Sequence, residues 1–143
     1  MLRRNVLVLA LGLVILSGGA WSDERQSAID ASQGIMTSLS EGRYRLLWDT
    51  QISQFFKDLM TEEAFVANMS MGRSQLGKLV GSKIIDVQYT EHDPASGYKG
   101  NIYSTTFLNA YEIGGFYERI VVLKESDGTY RLSGIWGSPA PSQ

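Results

Sequence analysis

Arg73 and Glu118 are the two residues whose type and setting could support chemistry. Arg73 lies close to the apolar stripe of a helical segment carrying Phe65, Met69, Gly72, Leu76 and Leu79. Glu118 shares one strand face with Phe116, Ile120 and Val122. A carboxylate on an apolar face needs a partner, because an ionised group taken out of water without one is strongly disfavoured. Arg73 can meet that need in two ways. It can pin helix to sheet as a buried or half-buried ion pair, or form the polar floor of a pocket. In the second case Arg73 binds an anionic group, Glu118 tunes it, and Tyr103 or Tyr89 lines the wall. Arg73, Glu118, Tyr103 and Tyr89 are therefore the ligand-binding candidates, and no residue is assigned a catalytic role.

Other chemistries find less support. His92 is the sole histidine, so a two-histidine metal site is out of reach. Its neighbours Glu91 and Asp93 would point to alternate faces of a strand end and would not converge on a metal with it. There is no Gly-x-Ser-x-Gly elbow for a nucleophilic serine. The glycines at 97 and 100 lack the lysine and helix start of a phosphate loop. With no cysteine there is no disulfide, thiolate metal site or thiol nucleophile. No metal or other cofactor is expected.

The elements that must position the candidates follow from periodicity. Ala28, Ala31, Ile35 and Leu39 fall on one helical face, predicting a first helix from Asp23 that Gly42 stops. Two short helical pieces follow, one through Tyr44, Leu47 and Trp48 and one through Phe55, Phe56 and Leu59. Thr61 is placed to cap the helix that follows them, with Glu62 and Glu63 at the positive end of its dipole and Met60 and Phe65 as a staple. Its stripe extends through Leu79, which predicts a stop at Gly81. From there the period changes from helical to two. Ile85, Val87 and Tyr89 alternate with polar residues, Tyr98–Leu108 puts Tyr103, Thr105 and Phe107 on one face, and Phe116–Lys124 and Tyr130–Trp136 complete four strands. Gly97, Gly114 and the Asp127-Gly128 pair supply the turns. Links this short force antiparallel neighbours. The expected class is α+β, with N-terminal helices packed on a curved four-stranded antiparallel sheet. Residues 23–138 form the single domain and residues 139–143 a frayed tail.

The 143 residues, 43% hydrophobic and 20% charged, suffice for one core. The net charge of −2, with neither sign in a block, argues against nucleic acid as a partner. Met1–Ser22 reads as a cleavable export signal: a basic head with Arg3 and Arg4, an apolar run from Val6 to Leu16, then small residues. Cleavage is expected after Ala20 or Ser22, the second being favoured. The apolar run is about half of the roughly 20 residues a spanning helix needs, so no permanent membrane anchor is expected. Without a cysteine to acylate, the protein is not a lipoprotein, and a periplasmic address follows.

One combination of residues resembles a known family. Trp48, Phe55-Phe56, Arg73-x-x-Leu76-Gly77, Ser82-Lys83, Gly97-Tyr98, Thr105-x-Phe107, Glu118 and the closing Asp127-Gly128-x-Tyr130-Arg131-Leu132-x-Gly134 resemble the exported bacterial proteins grouped as Domain of Unknown Function 4019. The resemblance implies the cone-shaped fold of the nuclear-transport-factor-like and cystatin-like superfamily, whose helices close over a curved sheet. It transfers a shape and an address, and no activity. Enzymes on that cone often hold an acid or base inside it, so an isomerase or lyase using Glu118 is the alternative to a non-catalytic module that binds a protein or small-molecule ligand. Such cones commonly pair through their sheets, which makes a homodimer an expectation.

Overall fold

The computed structural model describes residues 17–142. Four helices precede four strands: α1 (Ser17–Ser40), α2 (Tyr44–Gln51), α3 (Gln54–Lys57), α4 (Glu62–Arg73), β1 (Leu79–His92), β2 (Lys99–Tyr111), β3 (Gly114–Lys124) and β4 (Tyr130–Pro139). The strands form one open antiparallel sheet in the order β1-β2-β3-β4. The fold class is α+β.

Alternation decides which face of the sheet the helices cover. Tyr103, Phe107, Ile120, Val122 and Leu132 are buried together with Ala28, Ile35, Met36 and Leu39 of α1, Leu47 of α2, Phe56 of α3 and Phe65 of α4. Ile35, Leu47, Phe65, Ile120 and Leu132 are fully buried, and each such side chain contributes about 1.5–3 kcal/mol relative to exposure. Phe65 is the hub of the helical layer. Its ring meets Phe56 edge-on at 5.8 Å and Trp48 at 5.5 Å. Thr61 caps α4 by accepting from the Ala64 amide at 3.2 Å. Ser53 caps α3 in the same way through Phe56, and its amide donates to the Leu132 carbonyl, which covers part of the free edge of β4.

The structure corrects several boundaries. Helix α1 starts by Ser17 and not at Asp23, and Glu24 within it is turned toward Lys124 and Tyr130 on the sheet. Helix α4 ends at Arg73 and not at Gly81. Gly77, at φ +74°, makes the reversal that Gly81 was expected to make, and Gly81 is instead a strand residue paired with Ala110. In β1 a register shift between Ile84 and Asp86 makes Ile85 the extra residue. Ile84 therefore packs on the core with Val87 and Tyr89, while Ile85 stays exposed. Three such irregularities break the free edge of β1, a device that discourages another strand from adding there. Strand β4 runs through Pro139, one residue beyond the expected domain boundary. Pro139 pairs with Phe116 and the Ala140 amide donates to the Gly115 carbonyl at 2.9 Å. The expected signal segment lies outside the described residues up to residue 16.

Candidate functional site

Helix α4 delivers Arg73 in its last turn over the middle of the sheet, where the inward faces of β2 and β3 present Asn109, Tyr111 and Glu118. Arg73 Nη1 donates to Glu118 Oε2 at 2.6 Å, and Nη2 donates to the Tyr111 hydroxyl at 2.6 Å. The Tyr111 hydroxyl in turn donates to Glu118 Oε1. That oxygen also accepts from Asn109 Nδ2 at 3.0 Å. Asn109 is oriented from its other end by the Ser82 hydroxyl, which donates to Oδ1.

Glu118 is 4% exposed and both of its oxygens are occupied. Burial pushes its carboxyl up, but the bond to and charge of Arg73, with Tyr111 and Asn109, hold it below the ordinary carboxylate value. Burial works against the Arg73 charge as well, and Glu118 more than offsets it, leaving the guanidinium above its usual value. Tyr111 is raised, by burial first and then by its bond to Glu118. The result is a charge-balanced knot between helix and sheet. Arg73 and Glu118 also border a cleft of about 250 Å³, with Asn68, Met69, Phe116 and Ile135 among its other walls.

Tyr89 and Tyr103 are not part of this arrangement, which corrects the expected four-residue grouping. They are directly paired across β1 and β2. Tyr103 stands opposite Val122, whereas Glu118 stands opposite Phe107. The two places are four residues apart on the same strand face, about 13 Å at a rise of ~3.3 Å per residue.

The tyrosines instead line a separate pocket of about 230 Å³, with Trp21, Glu24, Asn101, Lys124 and Tyr130. Four rings run through it in sequence. Trp21 meets Tyr89 at 5.2 Å, Tyr89 meets Tyr103 at 5.0 Å, and Tyr103 meets Tyr130 at 5.6 Å. Glu24 Oε1 accepts from Lys124 Nζ at 2.6 Å and Oε2 from the Tyr130 hydroxyl at 2.5 Å. Those two bonds, Lys124 first, hold the Glu24 carboxyl below its ordinary value. Burial, and then Glu24, raises Tyr130. The Tyr89 hydroxyl donates to Asn101 Oδ1 at 2.8 Å.

Sequence reasoning missed most of this second place. Glu24 and Lys124 are 100 positions apart, and no local pattern joins them. Asn109 and Tyr111 could have been found, because they continue the inward parity of Tyr103, Thr105 and Phe107. His92 is exposed at the end of β1, and among the described residues no group of three His, Asp or Glu side chains comes together as a metal site. No helix of the described residues is long and apolar enough to cross a membrane.

Fold and geometry of the described residues define a small helix-on-sheet domain with an internal ion-pair knot and a tyrosine-lined pocket. The model of the family described as "Protein of unknown function (DUF4019)" matches residues 31–135, and the chain belongs to that family. No curated protein and no solved structure matches it significantly.

Proposed function

We propose that this is an exported protein of the bacterial periplasm that acts as a non-catalytic binding module, with the helices closing over the sheet as a cone. The observation that carries the non-catalytic part is the state of Glu118. A general base needs a carboxylate within reach of substrate and a pKa near the working pH. Glu118 has three donors on its two oxygens, one of them a guanidinium, and its pKa is lowered. The isomerase or lyase alternative would have to break the knot before any proton could move.

The chain's small size and the open tyrosine pocket support binding as the role, and the sequence of residues 1–22 supports export. Two measurements test the reading. Cell fractionation of the expressed full chain should place it in the periplasmic fraction. The Glu118 carboxyl, followed by carbon NMR in the purified protein, should titrate below the ordinary carboxylate range. A cytoplasmic protein, or a Glu118 carboxyl titrating near neutrality, would overturn the corresponding half.

A further inference from the structure

Tyr103 is 3% exposed and lines the pocket between the N-terminal part of α1 and the sheet. Its neighbours Tyr89 and Tyr130 both spend their hydroxyls on partners within the protein. The Tyr103 hydroxyl has no hydrogen-bond partner among the described residues. It is not one of the side-chain atoms sealed from solvent without a partner, so it reaches the open pocket, where water or a ligand can take its hydrogen bond. In this pocket it is a donor left over at the floor of an open space.

The charge state of the pocket narrows what could take that bond. Glu24 is matched by Lys124 at 2.6 Å, so the two charged residues that line the pocket compensate each other. A cation would have to displace Lys124 from Glu24, and an anion would face Glu24 itself. The rings do not form a cation cage either. Such a cage turns several aromatic faces toward one point, whereas Trp21 on Tyr89 and Tyr103 on Tyr130 are edge-on at 87° and 80°. The size is restrictive too. A pocket of about 230 Å³ falls below the roughly 300–1,000 Å³ of sites that take drug-sized molecules, so the occupant is of single-ring size. The lining mixes ring surfaces with the Asn101 amide, the Lys124 ammonium and tyrosine hydroxyls. That composition suits a ligand with one apolar face and several hydroxyls.

We propose that this pocket binds an uncharged, hydroxyl-bearing ring, a single sugar unit, with the Tyr103 hydroxyl donating from the floor and Asn101 and Lys124 bonding at the rim. The assignment rests on the reading of the protein as a binding module and names the class of its ligand. All the pocket residues except Trp21 lie beyond either expected cleavage point, so the floor survives processing.

The test is an NMR titration of protein purified after expression of the full chain, observing the tyrosine ring resonances. The probes are methyl β-glucoside and N-acetylglucosamine, with choline and benzoate as the charged comparisons. The two sugars should move the Tyr89, Tyr103 and Tyr130 signals saturably, and the charged probes should not. Tyr103→Phe keeps the ring and loses only a hydroxyl with no protein partner. It should leave the thermal midpoint unchanged and weaken sugar binding about fivefold to tenfold, the worth of one hydrogen bond. Sugars that leave these rings unmoved, or a Tyr103→Phe variant that binds them as the parent does, would overturn the proposal. Choline or benzoate binding there in place of sugar would overturn the ligand class and leave the binding module standing. The titration of Glu118 tests the non-catalytic part of that reading independently.

Discussion

Arg73 and Glu118 meet at 2.6 Å with side chains only 10% and 5% exposed, so one guanidinium and one carboxylate, 45 residues apart in the chain, tie α4 to β3 from inside the fold. The pair is flanked by Tyr111 and Asn109, which use the lone pairs Arg73 leaves. Such a pair is retained at a desolvation cost, and its value shows when one member is taken away.

Arg73→Met should be among the most damaging single changes in the protein. It leaves Glu118 ionised and buried, with only Tyr111 and Asn109 to satisfy it. The expected loss is about 3–5 kcal/mol, read as a fall in the urea midpoint. Glu118→Gln keeps the shape and should cost less. The double variant Arg73→Met with Glu118→Leu should recover much of the single-variant loss, since no orphaned charge remains. A double-mutant cycle with no coupling would show that the contact contributes nothing to stability.

The same pair sets an acid limb. Because Glu118 has a lower pKa folded than unfolded, the unfolded chain binds the proton first as pH falls. Its stabilisation is therefore complete above the unfolded value of about 4.3 and is lost as pH drops through the lower folded value. Glu24 and Asp93 are lowered too, and Asp127 is held at about 2 by Thr129 and Arg131. Thermal midpoints measured from pH 7 down to pH 2 should fall steeply below pH 4.5 in the parent. In Glu118→Gln the limb should persist with a smaller drop, and identical profiles would remove Glu118 from the explanation.

Thr105 presents the opposite case. It is fully buried between Tyr103 and Phe107 on β2, and its hydroxyl has no hydrogen-bond partner among the described residues. Thr105→Val replaces that hydroxyl with a methyl group of similar size. It also favours the strand. The variant should be more stable by about 1 kcal/mol, visible as a rise of a few degrees in the thermal midpoint.

What could be read in advance, and what could not, divides along a physical line. Strand faces follow from parity, so Glu118 with Ile120 and Val122, and Tyr103 with Phe107, were legible from residue type alone. Position along a strand depends on register, and there Tyr89 and Tyr103 were assigned to the Arg73 site when the pairing puts them at the other end. The end of α4 was misplaced because Leu76 and Leu79 extend its apolar stripe past the point where Gly77 reverses the chain. The Glu24–Lys124 contact joins the first helix to the third strand, and only the assembled fold brings them together.

Processing of the N-terminus should change the pocket itself. Trp21 is 56% exposed and stands edge-on against Tyr89, so its ring forms one wall of the space. Cleavage after Ala20 leaves Trp21 as the first residue, and cleavage after Ser22 removes it while keeping Glu24 in its bonds to Lys124 and Tyr130. Intact-mass measurement of the exported protein distinguishes the two. We expect the second, and then Tyr89 should gain solvent access that Trp21 otherwise denies it. In a chain retaining Trp21, replacement by alanine should reproduce that gain and leave the ion pair below untouched. The check is the Tyr89 ring signal with a soluble paramagnetic agent: its broadening should be greater in the processed chain than in one retaining Trp21. Equal broadening would mean that Trp21 does not wall the pocket in solution.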